Sequence, residues 1–186
     1  MSKYFIEIGS CDFDTLNHLA DYGWKGIIVE PVKRYLDNIP RKENIQYANN
    51  AIWDVEGKLD FQVWKDEWVE KDNDYKGMSS FHNKKENYPA LDIIKVDCLT
   101  VSSLLKKYPV PRIDFLKIDT EGSDYVVLSQ FIGDEGESSD LSPNLRPKLI
   151  KCEIKHYKKR HFEPLFKDKG YQVYYEKDDL YAIDLL

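Results

Sequence analysis

The chain is poor in cysteine and has no long apolar run. Its three cysteines, Cys11, Cys98 and Cys152, are an odd number without metal-site spacing. We therefore expect buried free thiols in a reducing compartment. No apolar stretch is long enough for export or for crossing a membrane, and the N-terminus passes directly into a strand pattern. The expected location is the cytoplasm.

An excess of positive charge is also missing. Lysine and arginine total 27 residues against 33 of aspartate and glutamate, which gives a formal net charge of −6. This balance argues against a protein that holds nucleic acid mainly by neutralising phosphates. The expected partner is a small molecule, with neither nucleic acid nor a membrane involved. The sequence does not indicate an oligomeric state.

Strand and helix patterns alternate along the chain, which is typical of βαβ units and a mostly parallel sheet. The predicted strands of this sheet cover residues 4–9, 26–30, 45–52, 113–119, 149–154, 171–175 and 180–185. The link between the last two strands is so short that they must run antiparallel. We predict one α/β domain over residues 1–186, because a chain of this length favours a single core.

Three segments depart from this alternation. Residues 59–63 alternate apolar and polar side chains, which predicts an extra half-buried strand. Residues 66–92 form an irregular insertion containing the further candidate base His82, and a loop that long is usually functional or mobile. Residues 133–147 read as an acidic surface loop. Aromatic residues of the insertion either stack on a sugar ring or clamp the loop to the core: Trp64, Trp68, Tyr75 and Tyr88.

Acidic residues stand where the predicted strands end. Asp119 and Glu121 follow an apolar run, and Glu30 closes the second strand. Ligands of open α/β sheets bind outside the carboxyl ends of the strands. Gly9 allows a backbone to approach a ligand closely, and Glu30 can accept two hydrogen bonds from a ribose diol. The G-x-G-x-x-G pattern of dinucleotide sites is missing, so these residues predict a nucleoside pocket.

Several roles stay open for these acids. Asp119 and Glu121 either face a ligand or stabilise the start of the following helix through its dipole. A general base, an acceptor-orienting group and a metal ligand all require carboxylates. His156, with Glu153, follows from the fifth strand, and histidine suits proton removal near neutral pH. The alternative is a solvated histidine within the basic run 155–160.

Three ordered motifs resemble those of the FkbM-type methyltransferases, a branch of the class I S-adenosylmethionine-dependent family. They are EIGS at residues 7–10, VEP at residues 29–31 and KIDTEGSDYVVL at residues 117–128. The resemblance implies a Rossmann-like, doubly wound sheet of seven strands with helices on both faces, closed by the antiparallel hairpin. It also implies S-adenosylmethionine as the methyl donor and, as the usual reaction, O-methylation of a hydroxyl on a sugar or natural product.

The resemblance and the strand-end chemistry together give the expected site. The expected donor-binding residues are Glu7, Gly9, Ser10, Glu30, Pro31, Ala51 and Asp119. The expected catalytic residues are Asp119, Glu121 and His156, where donor and acceptor meet. No metal ligand is assigned, although a divalent metal stays an open option.

Two rival functions remain. The family commonly has an asparagine and a second glycine where this chain has Cys11, Asp12 and Phe13, so one rival is a catalytically silent S-adenosylmethionine-binding module. The other is a nicotinamide-dependent oxidoreductase of the Rossmann type, which the missing glycines disfavour.

Overall fold

The computed structural model describes residues 2–13, 15–72, 74–81, 89–133 and 143–186. His82, Tyr88 and most of the predicted surface loop at residues 133–147 lie outside these ranges. The described strands are β1 (Tyr4–Ile8), β2 (Lys25–Val29), β3 (Ile45–Ala48), β4 (Ala51–Ile52), β5 (Gly57–Trp64), β6 (Leu91–Leu99), β7 (Phe115–Ile118), β8 (Leu149–Glu153), β9 (Tyr171–Glu176) and β10 (Asp179–Asp184). The described α-helices are α1 (Lys33–Asn38), α2 (Asp66–Val69), α3 (Asp74–Gly77), α4 (Val101–Lys107), α5 (Asp124–Ile132) and α6 (Lys159–Phe166). Two 3-10 helices cover Leu16–Tyr22 and Pro143–Leu145.

The main sheet has seven strands in the order β3-β2-β1-β7-β8-β10-β9. Neighbouring strands from β3 to β8 run parallel, whereas β10 runs antiparallel to both β8 and β9. The chain order reverses between β1 and β7, which is the switch point where ligands of such sheets bind. The predicted α/β fold, a mostly parallel seven-stranded sheet with an antiparallel C-terminal hairpin, is confirmed.

A second, smaller sheet contains β4, β6 and β5. The predicted strand at residues 59–63 is confirmed as part of β5, which pairs antiparallel with β6. The predicted single strand at residues 45–52 is wrong, because β3 joins the main sheet and β4 joins the small one. The Asn49 amide donates to the carbonyl oxygens of Glu30 and Pro31, and Asn50 donates to that of Asp97. These side-chain hydrogen bonds to backbone groups take the place of the strand pairing that one continuous strand would make at residues 49 and 50.

The insertion at residues 66–92 is more regular than its composition predicts. It contains α2, α3 and the start of β6. Trp64, Trp68 and Tyr75 pack on one another, with 4.4 Å between the ring centroids of Trp64 and Tyr75. These rings therefore hold the insertion together, which favours the clamping alternative.

The core lies on both faces of the main sheet. Phe5 and Ile28 are fully buried on the face covered by α1 and the first 3-10 helix. Ile6 and Ile27 are fully buried on the other face, beside α4 and α5. Burial on both faces explains why these strands read as apolar runs.

Single residues account for several local features. Gly23 ends the first 3-10 helix with a φ of +79°, a conformation that glycine adopts readily. The Thr100 hydroxyl accepts a hydrogen bond from the Ser103 amide at 3.2 Å and caps α4. The three cysteines are free and buried, as expected from the sequence.

Among the described helices, none has the length and apolar character needed to cross a bilayer.

Candidate functional site

A cleft opens at the carboxyl ends of β1, β2 and β7, next to the switch point of the main sheet. Strand ends contribute one wall: Ile8, Gly9, Glu30, Pro31, Asp119 and Thr120. The small sheet and the insertion contribute the opposite wall, which includes Ala51, Phe61, Lys76 and Phe81. The cleft therefore combines carboxylates on one side with aromatic and apolar groups on the other.

Gly9 brings the first loop directly against the end of β7. Its φ is +81°, and its amide donates to the Val29 carbonyl at 3.0 Å. A Cβ at residue 9 would lie 1.8 Å from the Asp119 carbonyl oxygen. Only glycine fits this position without displacing backbone.

Glu30 is held rigidly in the cleft wall. Glu30 is 5% exposed. Its two carboxylate oxygens accept hydrogen bonds from the backbone N–H groups of Cys11 and Val32, each at 2.8 Å. Burial raises the pKa of Glu30 from 4.5 to about 7, and the two backbone donors limit that rise. A carboxylate offers about four lone-pair positions, so these two bonds leave acceptor capacity for a ligand.

Asp119 is the second acid of the cleft. Burial raises its pKa to about 6, and the nearby Lys117 ammonium opposes the rise. Its backbone amide donates to Ile8 at 2.9 Å. Within the described part of the chain, its carboxylate accepts no hydrogen bond. This carboxylate is therefore available to a ligand.

The turn from Asp119 into α5 is organised by Asp124. The Asp124 carboxylate accepts from the Thr120 amide at 2.8 Å, the Thr120 hydroxyl at 3.0 Å and the Gly122 amide at 2.9 Å. Glu121 sits within this turn at a φ of +53°, which is unusual for a residue with a side chain. Asp124 thus serves the site as a support, a role that the sequence motif alone did not reveal.

Glu121 and His156 meet beside the cleft rather than in its wall. The His156 Nε2 atom lies 3.1 Å from Glu121 Oε2 and 4.0 Å from Glu153 Oε2. Burial raises the pKa of Glu153 to about 8, and the Glu121 and Asp119 charges add to the effect. Of the three predicted catalytic residues, only Asp119 lines the cleft; the other two pair with each other.

Glu7 and Ser10 have supporting positions. The fully buried Glu7 carboxylate accepts from the Thr15 hydroxyl at 2.6 Å, the Leu16 amide at 2.8 Å and the Lys117 ammonium at 3.0 Å. The Ser10 hydroxyl donates to its neighbour's carbonyl oxygen at 3.1 Å. Neither residue lines the cleft, whereas the other expected donor-binding residues do: Gly9, Glu30, Pro31, Ala51 and Asp119.

Apart from Ala51, the residues of the opposite wall were not predicted from the sequence. Lys76 forms an ion pair with Asp12, and its ammonium lies 5.2 Å from the centroid of the Tyr35 ring. Phe81 packs edge-on against Phe61, with 5.0 Å between the ring centroids. Phe61 lies in a predicted strand, whereas Lys76 and Phe81 come from the insertion, where no regular periodicity marks them. The length of the insertion was the sequence signal that it has a function.

One of three comparisons with known proteins found a match. A family model described as the methyltransferase FkbM domain matches residues 7–173, which include every cleft residue named above. Searches of curated proteins and of solved structures found no match to the chain. The matched range covers most of the chain and contains all three sequence motifs, so the predicted resemblance is confirmed. The chain belongs to the FkbM methyltransferase domain family.

Proposed function

We propose that this protein transfers a methyl group from S-adenosylmethionine to a hydroxyl oxygen of a sugar or natural product. The methyltransferase family supports the reaction class. The observation that carries the donor assignment is Glu30, a carboxylate fixed at the end of β2 with acceptor capacity left over. A ribose diol supplies the two donors that such a carboxylate binds.

The residue types in the cleft support this donor. Gly9 removes a side chain that would fill the space between the first loop and Asp119. Pro31, Ala51 and Phe61 offer apolar surface on which a base can lie. Glu7 and Ser10 keep the first loop in place. S-adenosylmethionine supplies, when bound, a methyl group on a positively charged sulfur, and the Asp119 carboxylate gives the cleft a complementary charge.

The chain's own contribution to methyl transfer is positioning and proton removal. Asp119 is the predicted catalytic group that faces the cleft, and it is two residues from Glu121. Glu121 in turn contacts His156, so the acceptor side of the site runs from Asp119 towards β8. We further propose a small-molecule acceptor in the cytoplasm, with no nucleic acid or membrane partner.

Calorimetry tests the donor assignment. S-adenosylmethionine and S-adenosylhomocysteine are titrated into the wild type, Glu30→Gln and the matched control Glu43→Gln, which changes an exposed glutamate. We expect saturable binding that Glu30→Gln weakens at least about tenfold, since a charged hydrogen bond contributes roughly 1.5–3 kcal/mol. The control binds as the wild type does.

The rival functions give different outcomes in the same titrations. Tighter binding of a nicotinamide dinucleotide than of S-adenosylmethionine would indicate the oxidoreductase. Donor binding without methyl transfer to any of a panel of sugar and natural-product hydroxyls would indicate the silent module. Absence of binding by both S-adenosyl compounds would reject the proposal.

A further inference from the structure

Three metal-ligand side chains converge beside the cleft from two segments of the chain. Glu121 comes from the turn after β7, Glu153 ends β8, and His156 lies three residues further along. One ligand atom from each lies within 4.8 Å of the other two. Atoms bound to one ion at about 2.0–2.2 Å are separated by roughly 3–4 Å. The 3.1 and 4.0 Å separations between His156 Nε2 and the two carboxylates are of that size.

Glu153 presents a buried oxygen to this cluster. Its Oε2 atom is inaccessible to solvent and, in the described ranges, accepts no hydrogen bond. The side chain is 16% exposed, and His156 Nε2 stands too far from it for a hydrogen bond. Leaving a buried carboxylate oxygen without a donor is costly, and folded proteins rarely do so. An ion between the three side chains would satisfy this oxygen.

The surrounding charges favour a cation. Asp119 and Asp124 lie two and three residues from Glu121, in and at the end of the turn between β7 and α5, so two further carboxylates belong to the same turn. Among positive groups, Lys155 lies 3.6 Å from Glu121, but its side chain is nearly half exposed and can turn towards water. Lys117 and Lys151 also lie near Asp119, but they form ion pairs with Glu7 and Asp179. Negative charge therefore accumulates around the cluster, and Lys155 is not fixed there by burial.

We propose that Glu121, Glu153 and His156 bind one divalent transition-metal ion in the range from Mn²⁺ to Zn²⁺. An imidazole nitrogen with two carboxylates suits these ions, whereas Mg²⁺ and Ca²⁺ prefer oxygen ligands alone. Three protein ligands leave a coordination position for an acceptor hydroxyl oxygen, whose proton the ion would make more acidic. That catalytic role rests on the proposed function, but metal binding itself does not.

Metal titration of the full chain without donor tests the site. The protein is stripped with a chelator, and Mn²⁺ is added while electron paramagnetic resonance reports the free ion; Zn²⁺ is then added as a competitor. We expect one saturable Mn²⁺ per chain that Zn²⁺ displaces. Substitutions Glu121→Gln, Glu153→Gln and His156→Gln should each weaken binding at least about tenfold.

Matched controls come from α6, which follows the cluster. Glu163→Gln and His161→Gln change exposed residues of the same two types and should bind Mn²⁺ as the wild type does. Circular dichroism establishes that each variant is folded, and any one folded cluster variant is sufficient for the comparison. The proposal is overturned if the wild type binds neither ion at millimolar concentration, or if the cluster variants bind as tightly as the controls. Donor calorimetry on the same metal-free protein separates this failure from a failure of the proposed function.

Discussion

Gly9 and Asp119 are in such close contact that a Cβ on residue 9 would lie 1.8 Å from the Asp119 carbonyl oxygen. The contact joins the loop after β1 to the acidic end of β7 across the switch point of the sheet. Two strand ends distant in sequence thereby form one wall of the cleft. The geometry of that wall depends on the missing side chain.

Gly9→Ala should destabilise the protein and weaken donor binding. The substitution adds a left-handed backbone cost of about 1–2 kcal/mol to a steric clash of about 1–3 kcal/mol. Gly23→Ala is the matched control, because Gly23 has a φ of +79° and no atom within 4 Å of its would-be Cβ. Chemical denaturation should show a larger loss of unfolding free energy for Gly9→Ala than for Gly23→Ala. Equal losses for the two variants would show that the contact with Asp119 is not tight.

Glu30 should make stability depend on pH. Its pKa is about 7 in the folded chain against an ordinary value of 4.5, so the folded state holds a proton that the unfolded state releases. This contribution is fully present below pH 4.5 and is lost as the pH rises towards and beyond 7, by roughly 3 kcal/mol in all. The stability of Glu30→Gln relative to the wild type should therefore rise over that window. Denaturation of the wild type, Glu30→Gln and the control Glu43→Gln between pH 5 and 8 measures this change in relative stability. If the stabilities of the wild type and Glu30→Gln change with pH in parallel, the raised pKa of Glu30 is contradicted.

The ion pair of Glu7 and Lys117 should contribute strongly to folding. Both side chains are buried, so Lys117→Met leaves Glu7 without its ammonium partner. Breaking such a pair costs about 3–5 kcal/mol. The control Lys95→Met breaks the exposed pair with Asp60 and should cost less than about 1 kcal/mol. Thermal unfolding of the two variants measures the difference, and similar midpoints would mean that the buried pair adds little.

Asp124 should be essential to the turn that carries Glu121. Asp124→Ala removes the acceptor for two amides and a hydroxyl, which should lower the free energy of unfolding by about 2–4 kcal/mol. Asp66→Ala is the control, because Asp66 also begins a helix but is largely exposed. Urea denaturation compares them. If both variants lose equally little unfolding free energy, the three hydrogen bonds of Asp124 do not determine the turn.

The sequence predicted the features that depend on local pattern. Apolar periodicity located the strands of the main sheet, and strand-end chemistry located Gly9, Glu30 and Asp119 in what became the cleft wall. The partner of Glu7 could not be predicted, because Lys117 lies 110 residues away and their pairing depends on strand register. Lys76 reaches the cleft through the fold of the insertion, which has no periodicity to read.

The division of residues 45–52 between two sheets was also beyond local pattern. The whole segment reads as one strand. In the fold, the Asn49 amide donates to the Glu30 carbonyl just after β2, and the Asn50 amide donates to the Asp97 carbonyl within β6, and both acceptors are remote in sequence. A similar limit applies to the cluster of Glu121, Glu153 and His156. Each residue was visible at a strand end, but their convergence depends on the parallel pairing of β7 with β8.

A crystal structure with S-adenosylhomocysteine bound tests the central claim most directly. We predict ribose hydroxyls at the Glu30 carboxylate and the sulfur directed towards the side of the cleft that Asp119 lines. The product bound elsewhere, or bound in the cleft with Glu30 uninvolved and with Asp119, Glu121 and His156 all directed away from the sulfur, would contradict the account.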